Sequence, residues 1–116
     1  MLTVAENAPD AGDVVWIDFG PPVGHEQAGR RPALVLSTRD YNANSSMVIV
    51  CPITRSERSW PFKVLLVPVG SLRGYVLVDQ IRAVDRTTRA LRPHGRAAGD
   101  TVDAVHEMLG LILGKA

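Results

Sequence analysis

Apolar residues come in short runs over the first three quarters of the chain, and each run is cut off by glycine, proline or small polar residues. The first, Val14-Val15-Trp16-Ile17-Asp18-Phe19, is rich in β-branched and aromatic side chains and stops at Gly20-Pro21-Pro22, which cannot continue a central strand. The same reasoning predicts strands over 32–37, over 47–54 after the turn-prone Asn42-Ala43-Asn44-Ser45-Ser46, and over 62–67 ahead of Pro68. A fifth, launched by Gly74, covers 75–79, either ending there or extending through Gln80-Ile81-Arg82-Ala83-Val84. Short sequential strands with no helical pattern between them favour an antiparallel sheet or small barrel over alternating β-α units. The period changes only at the C-terminus, where Val102, Val105, Leu109 and Ile112 fall on one face of a helix. Asp100 or Thr101 can cap its start, Asp103 suits the positive end of its dipole, and the helix is expected to close the barrel or pack on one sheet face.

Size and composition narrow the class. A chain of 116 residues is expected to be one domain, with residues 1–10 as a flexible arm, and it can bury enough surface to need no disulfide or metal staple. No apolar run reaches membrane length, and the first ten residues carry Glu6 and Asp10 but no basic cluster, so a cytoplasmic protein is expected. The lone Cys51 sits inside an apolar run and reads as a buried core residue, while His25, His94 and His106 match no zinc spacing, so neither metal nor cofactor is expected. The net charge is only +1, yet the five arginines between Arg82 and Arg96 against one aspartate give +4 there and leave −3 elsewhere. That stretch is either a solvated turn region or a contact surface for phosphates or an acidic partner.

The segment Gly24-His25-Glu26-Gln27-Ala28-Gly29-Arg30-Arg31-Pro32 puts titratable and charged side chains on a loop that runs directly into the second strand. Glycines at both ends allow unusual backbone angles, and Pro32 holds Arg31 in an extended conformation. A carboxylate, an imidazole and a guanidinium this close can support acid-base chemistry on an anionic substrate: Glu26 or His25 moves protons and Arg31 neutralises developing charge. An ion pair from Glu26 to Arg30 or Arg31 within the loop is the structural alternative. A second candidate is the end of the third strand, where Thr54 and Ser56 can donate to phosphate oxygens and Arg55 or Arg58 can supply charge. Trp60 and Phe62, either side of Pro61, can stack on bases, although Phe62 suits packing better.

Taken together, 12–19, 24–37, the Pro52 to Thr54 strand end, Trp60-Pro61-Phe62 and Val78-Asp79-Gln80-Ile81-Arg82-Ala83-Val84-Asp85 resemble the MazF/PemK (Kid) toxins of bacterial toxin-antitoxin systems, in order and over nearly the whole chain. The resemblance implies a mainly β fold with a C-terminal helix, an SH3-like antiparallel barrel of the CcdB/MazF kind, working as a homodimer. It implies a metal-independent endoribonuclease that cuts single-stranded RNA at short sequences and leaves a 2′,3′-cyclic phosphate and a 5′-hydroxyl. By position, Arg31 and Thr54 match the family's catalytic arginine and threonine, Glu26 its loop acid, and His25 and Asp79 residues used in the PemK branch. That branch places an arginine two positions before the aspartate, where this chain has Leu77. Gln27, Arg30, Arg55, Ser56, Trp60, Asp79 and Gln80 are the expected RNA-binding set. The implied partner besides RNA is an antitoxin whose disordered acidic tail wraps the dimer, with the arginines between Arg82 and Arg96 offering charge.

An arginine holds its proton up to a pKa above about 12, so Arg31 suits charge stabilisation of the phosphorane better than proton abstraction. Two other readings share the fold. A gyrase poison of the CcdB type acts through a C-terminal Trp-Gly-Ile tail, whereas this chain ends Leu111-Ile112-Leu113-Gly114-Lys115-Ala116. A catalytically silent binding domain would not need Glu26, Arg31 and Thr54 together. The loop over 20–29, with its prolines and glycines, is expected to be mobile until RNA binds.

Overall fold

The structure, a computed structural model, describes residues 7–21, 23–27 and 29–115. The chain runs β1 (Asp13–Asp18), β2 (Arg30–Val35), α1 (Arg39–Ser45), β3 (Met47–Thr54), β4 (Lys63–Leu65), β5 (Tyr75–Leu77), a 3-10 turn (Val78–Gln80), β6 (Arg82–Asp85), β7 (Arg92–Arg96) and α2 (Gly99–Ile112). All strand pairs are antiparallel, in the order β4-β5-β3-β2-β1-β7 with β6 also on β3. The long strand β3 organises the sheet. One edge carries β2, and the other is divided between β6, along Met47 to Val50, and β5, along Ile53 and Thr54. The strand expected over 75–79 stops at Leu77, because the 3-10 turn steps the chain from β5 to a separate strand β6 beside that edge, and this brings Asp79 and Gln80 next to the end of β3.

Strand alternation gives the sheet two apolar faces. Val15, Ile17, Phe19, Ala33, Val35, Val48, Val50 and Val84 bury one face, while Val14, Leu34, Cys51 and Ile53 belong to a core on the other, completed by Val76, Val78 and Val105 of α2. The mainly β architecture with a C-terminal helix matches the expectation, but the sheet does not close into a barrel. Among the described residues no ladder joins the outer strands β4 and β7. The strand expected over 62–67 ends at Leu65; beyond it the Leu66 N–H goes to the Gly74 carbonyl (2.9 Å), the Val67 N–H to Thr101 Oγ1 (3.3 Å), and Val69 and Leu72 spend their backbone groups on each other across a tight bridge (3.1 and 3.0 Å). On the other side Pro93 of β7 has no N–H to offer. A side chain spans the gap instead, with His94 Nε2 2.9 Å from the Val69 carbonyl oxygen.

Three further local readings change. The segment around 42–46 is helix α1, not a turn: Thr38 caps it by accepting from the Tyr41 N–H (3.3 Å), and fully buried Asn42 donates to the Pro9 and Ser37 carbonyls at 2.8 and 3.1 Å. Tertiary partners for Asn42 outweigh its local preference for a turn. Residues 92–96 form β7 on β1, with a register shift between Val14 and Val15. Helix α2 starts from Ala98 without a side-chain cap, and the Thr101 hydroxyl is spent accepting from the Val67 N–H at 3.3 Å.

Of the arm expected over 1–10, residues 1–6 lie outside the described residues. Ala8 is buried, its carbonyl accepts from Arg39 Nε (3.0 Å), and the Asp10 carboxylate accepts from the Ala11 and Arg39 N–H groups (2.9 Å each). Those backbone bonds, that from Arg39 foremost, hold the Asp10 carboxyl below its ordinary value. The loop after β1 is pinched at its base. Phe19 donates to the Gly29 carbonyl (2.9 Å) and Gly29 to that of Gly20 (2.8 Å), with both glycines at positive φ (+77° and +75°). Among the described residues no helix is long and apolar enough to cross a membrane.

Candidate active site

Thr54 ends β3 and is only 7 % exposed. Its Oγ1 accepts from the Ser56 N–H at 3.1 Å, so the hydroxyl proton is left to point at something else. The β2–β3 ladder pairs Ala33 with Pro52, Leu34 with Cys51 and Val35 with Val50, so Arg31 and Thr54 each lie two residues beyond its end on adjacent strands. Arg31, half-buried on β2, is also the partner of Ile17 on β1, so a guanidinium stem and a threonine hydroxyl come from adjacent rigid strands. Gly74 keeps the Thr54 carbonyl in place. Its φ is +149°, and a Cβ there would stand 2.3 Å from the Thr54 oxygen.

Two cavities open at this end of the sheet. The larger, of about 480 Å³, is lined by His25, Thr54, Ser56 and Leu77, with Arg58 and Lys63 at its charged side. The smaller, of about 150 Å³, lies between Phe19, Glu26, Pro52, Asp79 and Arg82. Gln27 and Gln80 line both, and the Gln27 N–H donates to Gln80 Oε1 at 2.9 Å, which ties the loop to the 3-10 turn between the two spaces. His25 and Glu26, neighbours in sequence, therefore face different cavities. The expected mobile loop is anchored at its base and again at Gln27.

Trp60 lines the larger cavity, donates from Nε1 to Asp79 Oδ1 (3.3 Å) and meets Phe62 edge-on at 5.7 Å between ring centres. Both rings are exposed, Phe62 included, against the expectation that it packs inside. Lys63, a residue the sequence reading passed over, has Nζ 2.6 Å from the Arg58 carbonyl, 3.3 Å from that of Ser56 and 3.8 Å above the Tyr75 ring. Its signal was a lone lysine inside an apolar run. Tyr75 donates to Glu57 (3.0 Å), and that bond raises the phenol above its ordinary value. Leu77 occupies the cavity wall with an apolar side chain.

The structure thus brings His25, Gln27, Thr54, Ser56, Trp60 and Gln80 to one cavity and Glu26, Gln27, Asp79 and Gln80 to its neighbour. Arg30, Arg31 and Arg55 line neither. Of the two arginines weighed after β3 it is Arg58 that lines the cavity, while Arg55, also exposed, does not. Four of the arginines between Arg82 and Arg96 are engaged within the chain. Arg82 stacks over Phe19 (5.6 Å), Arg86 and Arg89 donate to the Asn42 and Asp18 carbonyls (3.0 and 3.3 Å), and Arg96 pairs with Asp13 (2.5 Å). Cys51 is buried behind the site with its thiol pushed up to about 12, first by desolvation and then by the Asp79 charge, so it stays protonated and inert. Among the described residues no cluster of His, Cys, Asp and Glu could hold a metal ion.

A family model described as the PemK-like, MazF-like toxin of type II toxin-antitoxin systems matches residues 10–113. The endoribonuclease toxin MazF of Escherichia coli K12 is 35 % identical over 112 residues, covering 96 % of this chain and 99 % of that one. The crystal structure of MazF from Deinococcus radiodurans superposes with a TM-score of 0.87 at 41 % identity, over 92 % of this chain and 97 % of that one. A MazE-MazF structure from the same organism gives a TM-score of 0.81 at 36 % identity, over 94 % and 98 %.

Proposed function

The chain belongs to the family of PemK-like, MazF-like toxins of type II toxin-antitoxin systems and is an endoribonuclease of the MazF type, and on that premise we propose that it cuts single-stranded RNA through the ribose 2′-hydroxyl, without a metal ion. The 2′-oxygen bonds to the adjacent phosphorus, the bond from phosphorus to the 5′-oxygen breaks, and the products carry a 2′,3′-cyclic phosphate and a 5′-hydroxyl. The observation that carries this reading is the buried Thr54 hydroxyl at the end of β3, oriented by the Ser56 N–H at the mouth of a cavity shared with His25 and Arg58. Thr54 donates to a non-bridging oxygen and Arg31 stabilises the charge that grows on the phosphorane. Glu26 and His25 line different cavities that share Gln27 and Gln80, which supports giving them separate roles in proton transfer. Glu26, an acceptor when ionised, takes the 2′-hydroxyl proton, and His25 returns one to the leaving 5′-oxygen. Ser56, Arg58 and Trp60 hold the neighbouring phosphate and base along the larger cavity.

Incubating the purified protein with a single-stranded oligoribonucleotide in excess EDTA, beside its DNA counterpart, tests the reaction. Cyclic-phosphate and 5′-hydroxyl ends from RNA and none from DNA are expected. Cleavage of the DNA, or 5′-phosphate ends that appear only with added metal, would overturn it. The MazE-MazF neighbour supports a further part of the proposal: a cognate antitoxin lays an acidic, disordered tail across the cleft of a homodimer, against Arg58 and Arg82, and competes with RNA. Such binding weakens as salt rises, and simultaneous binding of RNA and antitoxin with unchanged affinities would exclude competition.

A further inference from the structure

After Thr54 the chain leaves the sheet, and residues 55–60 lie in neither helix nor strand. Their order comes from side chains. The Ser56 N–H donates to Thr54 Oγ1 (3.1 Å) and the Arg58 N–H donates to Ser56 Oγ (3.2 Å), so each hydroxyl fixes the residue two positions on. The carbonyls of the same two residues, Ser56 and Arg58, both accept from Lys63 Nζ, at 3.3 and 2.6 Å. One ammonium on β4 therefore closes the loop that follows β3. The same Nζ lies 3.8 Å above the Tyr75 ring, and Tyr75 is tied in turn to Glu57 at 3.0 Å. Strand pairing makes the clasp possible: Lys63 pairs with Leu77 and Leu65 with Tyr75, so Lys63 and Tyr75 are diagonal neighbours, and Tyr75 is also the partner of Thr54. An ammonium has three N–H donors, and here two carbonyls and a ring face engage it. Lys63 lines the larger cavity, yet its charge is turned onto the protein rather than held out for a phosphate.

We infer that Lys63 is a positioning residue for Thr54: by clasping the Ser56 and Arg58 carbonyls it keeps the Ser56 N–H on Thr54 Oγ1, and so directs the Thr54 hydroxyl proton toward the cavity. A hydroxyl rotates to suit its partners, and one lone pair held by a fixed N–H limits where its proton can go. Without the ammonium, water takes over both exposed carbonyls, so the loop is released while the sheet stays folded. The inference rests on the reading of Thr54 as a phosphate donor, and it adds the group that holds that donor in place.

Lys63→Met keeps the apolar stem and removes the charge. Lys63→Cys alkylated with 2-bromoethylamine restores an ammonium at nearly the original length; Cys51 is buried, and wild type treated in the same way controls for it. In the protein without RNA, hydrogen exchange followed by NMR should be about tenfold faster at the Ser56 and Arg58 amides of Lys63→Met, with β3 unchanged. With single-stranded RNA, Lys63→Met should lower kcat by about 10–100-fold, and alkylated Lys63→Cys should recover most of that loss. Added to Thr54→Val, Lys63→Met should cost less than about threefold more, because the hydroxyl it orients is gone. Binding of a 2′-O-methyl oligoribonucleotide should keep its salt dependence, whereas loss of a phosphate contact would flatten log Kd against log salt by about 0.7. Lys63→Cys before and after alkylation gives the same comparisons if Lys63→Met folds poorly. Unchanged exchange at Ser56 and Arg58, a kcat within about threefold of wild type, a fully additive loss beside Thr54→Val, or the flattened salt slope each overturns the inference. Thr54→Val alone separates the two readings. If it cleaves as wild type, the catalytic role of Thr54 fails and hydrogen exchange still reads the clasp; if it is inactive while Lys63→Met is not, only the inference about Lys63 fails.

Discussion

Replacing Thr54 by valine removes one hydroxyl from a buried strand end and leaves the strand's shape nearly intact, so stability and catalysis should part company. The hydroxyl accepts from the Ser56 N–H at 3.1 Å. Losing that bond costs about 0.5–1.5 kcal/mol, and because Ser56 is exposed, water can take over its N–H and hold the cost near the lower end. Valine also favours a strand, which offsets part of it. A drop in Tm of only a few degrees follows, since roughly 1 kcal/mol shifts Tm by about 2–8 °C in domains near this size. If Thr54 donates to a phosphate oxygen as charge develops, the rate falls by about 10²–10³, or roughly 2.7–4 kcal/mol of transition-state stabilisation. Thr54→Ser keeps the donor and should recover most of the rate. Single-turnover cleavage of a fluorogenic single-stranded RNA, with a melting curve on the same preparations, reads both quantities. A folded Thr54→Val protein that cleaves within about threefold of wild type, roughly 0.7 kcal/mol, would refute the assignment. So would a Thr54→Ser protein as inactive as Thr54→Val.

His25→Gln should slow RNA cleavage by about 10²–10⁴ yet act almost normally on an activated aryl phosphodiester, whose leaving group departs without a proton; equal loss on both substrates removes His25 as the acid. Gly74→Ala forces a Cβ to 2.3 Å from the Thr54 carbonyl at a φ of +149°, so urea unfolding should show a loss of more than about 1–3 kcal/mol together with lost activity. A Gly74→Ala protein of wild-type stability would show that the strand end yields easily. Cys51, with its thiol raised to about 12, should resist iodoacetamide at pH 8 in the native protein and react at once in denaturant; fast native labelling would mean that the core behind the site opens. The Asp10 carboxyl is held below its ordinary value of 3.8, so its share of stability is present above that pH and is lost as pH falls through the lower folded value; Asp10→Asn should flatten that acid limb in pH-dependent unfolding, and an unchanged limb would assign it to other carboxylates.

What the sequence determined by itself was everything that depends on neighbours along the chain. Alternation and turn residues set the strands around Val15 to Ile17, Leu34 and Val48 to Ile53, and the three-and-four spacing of Val102, Val105 and Leu109 set the C-terminal helix, since backbone period and side-chain burial are local consequences of residue order. The order of motifs was enough to place the chain in its family. Tertiary structure decided what depends on partners far away in sequence. Asn42 is helical because Pro9 accepts its amide, and 92–96 is a strand because β1 has a free edge; neither reason is visible in the segment itself. The sheet stays open because Val69 and Leu72 use up the backbone groups that closure would need. In the same way a tie spanning fifty-three positions, Gln27 to Gln80, sends His25 and Glu26 into different cavities, a separation that adjacent residues in a loop cannot disclose. Composition shows which groups a site can draw on, and only the closure of distant segments on each other, with the desolvation and hydrogen bonding that follow, decides which of them face the same space.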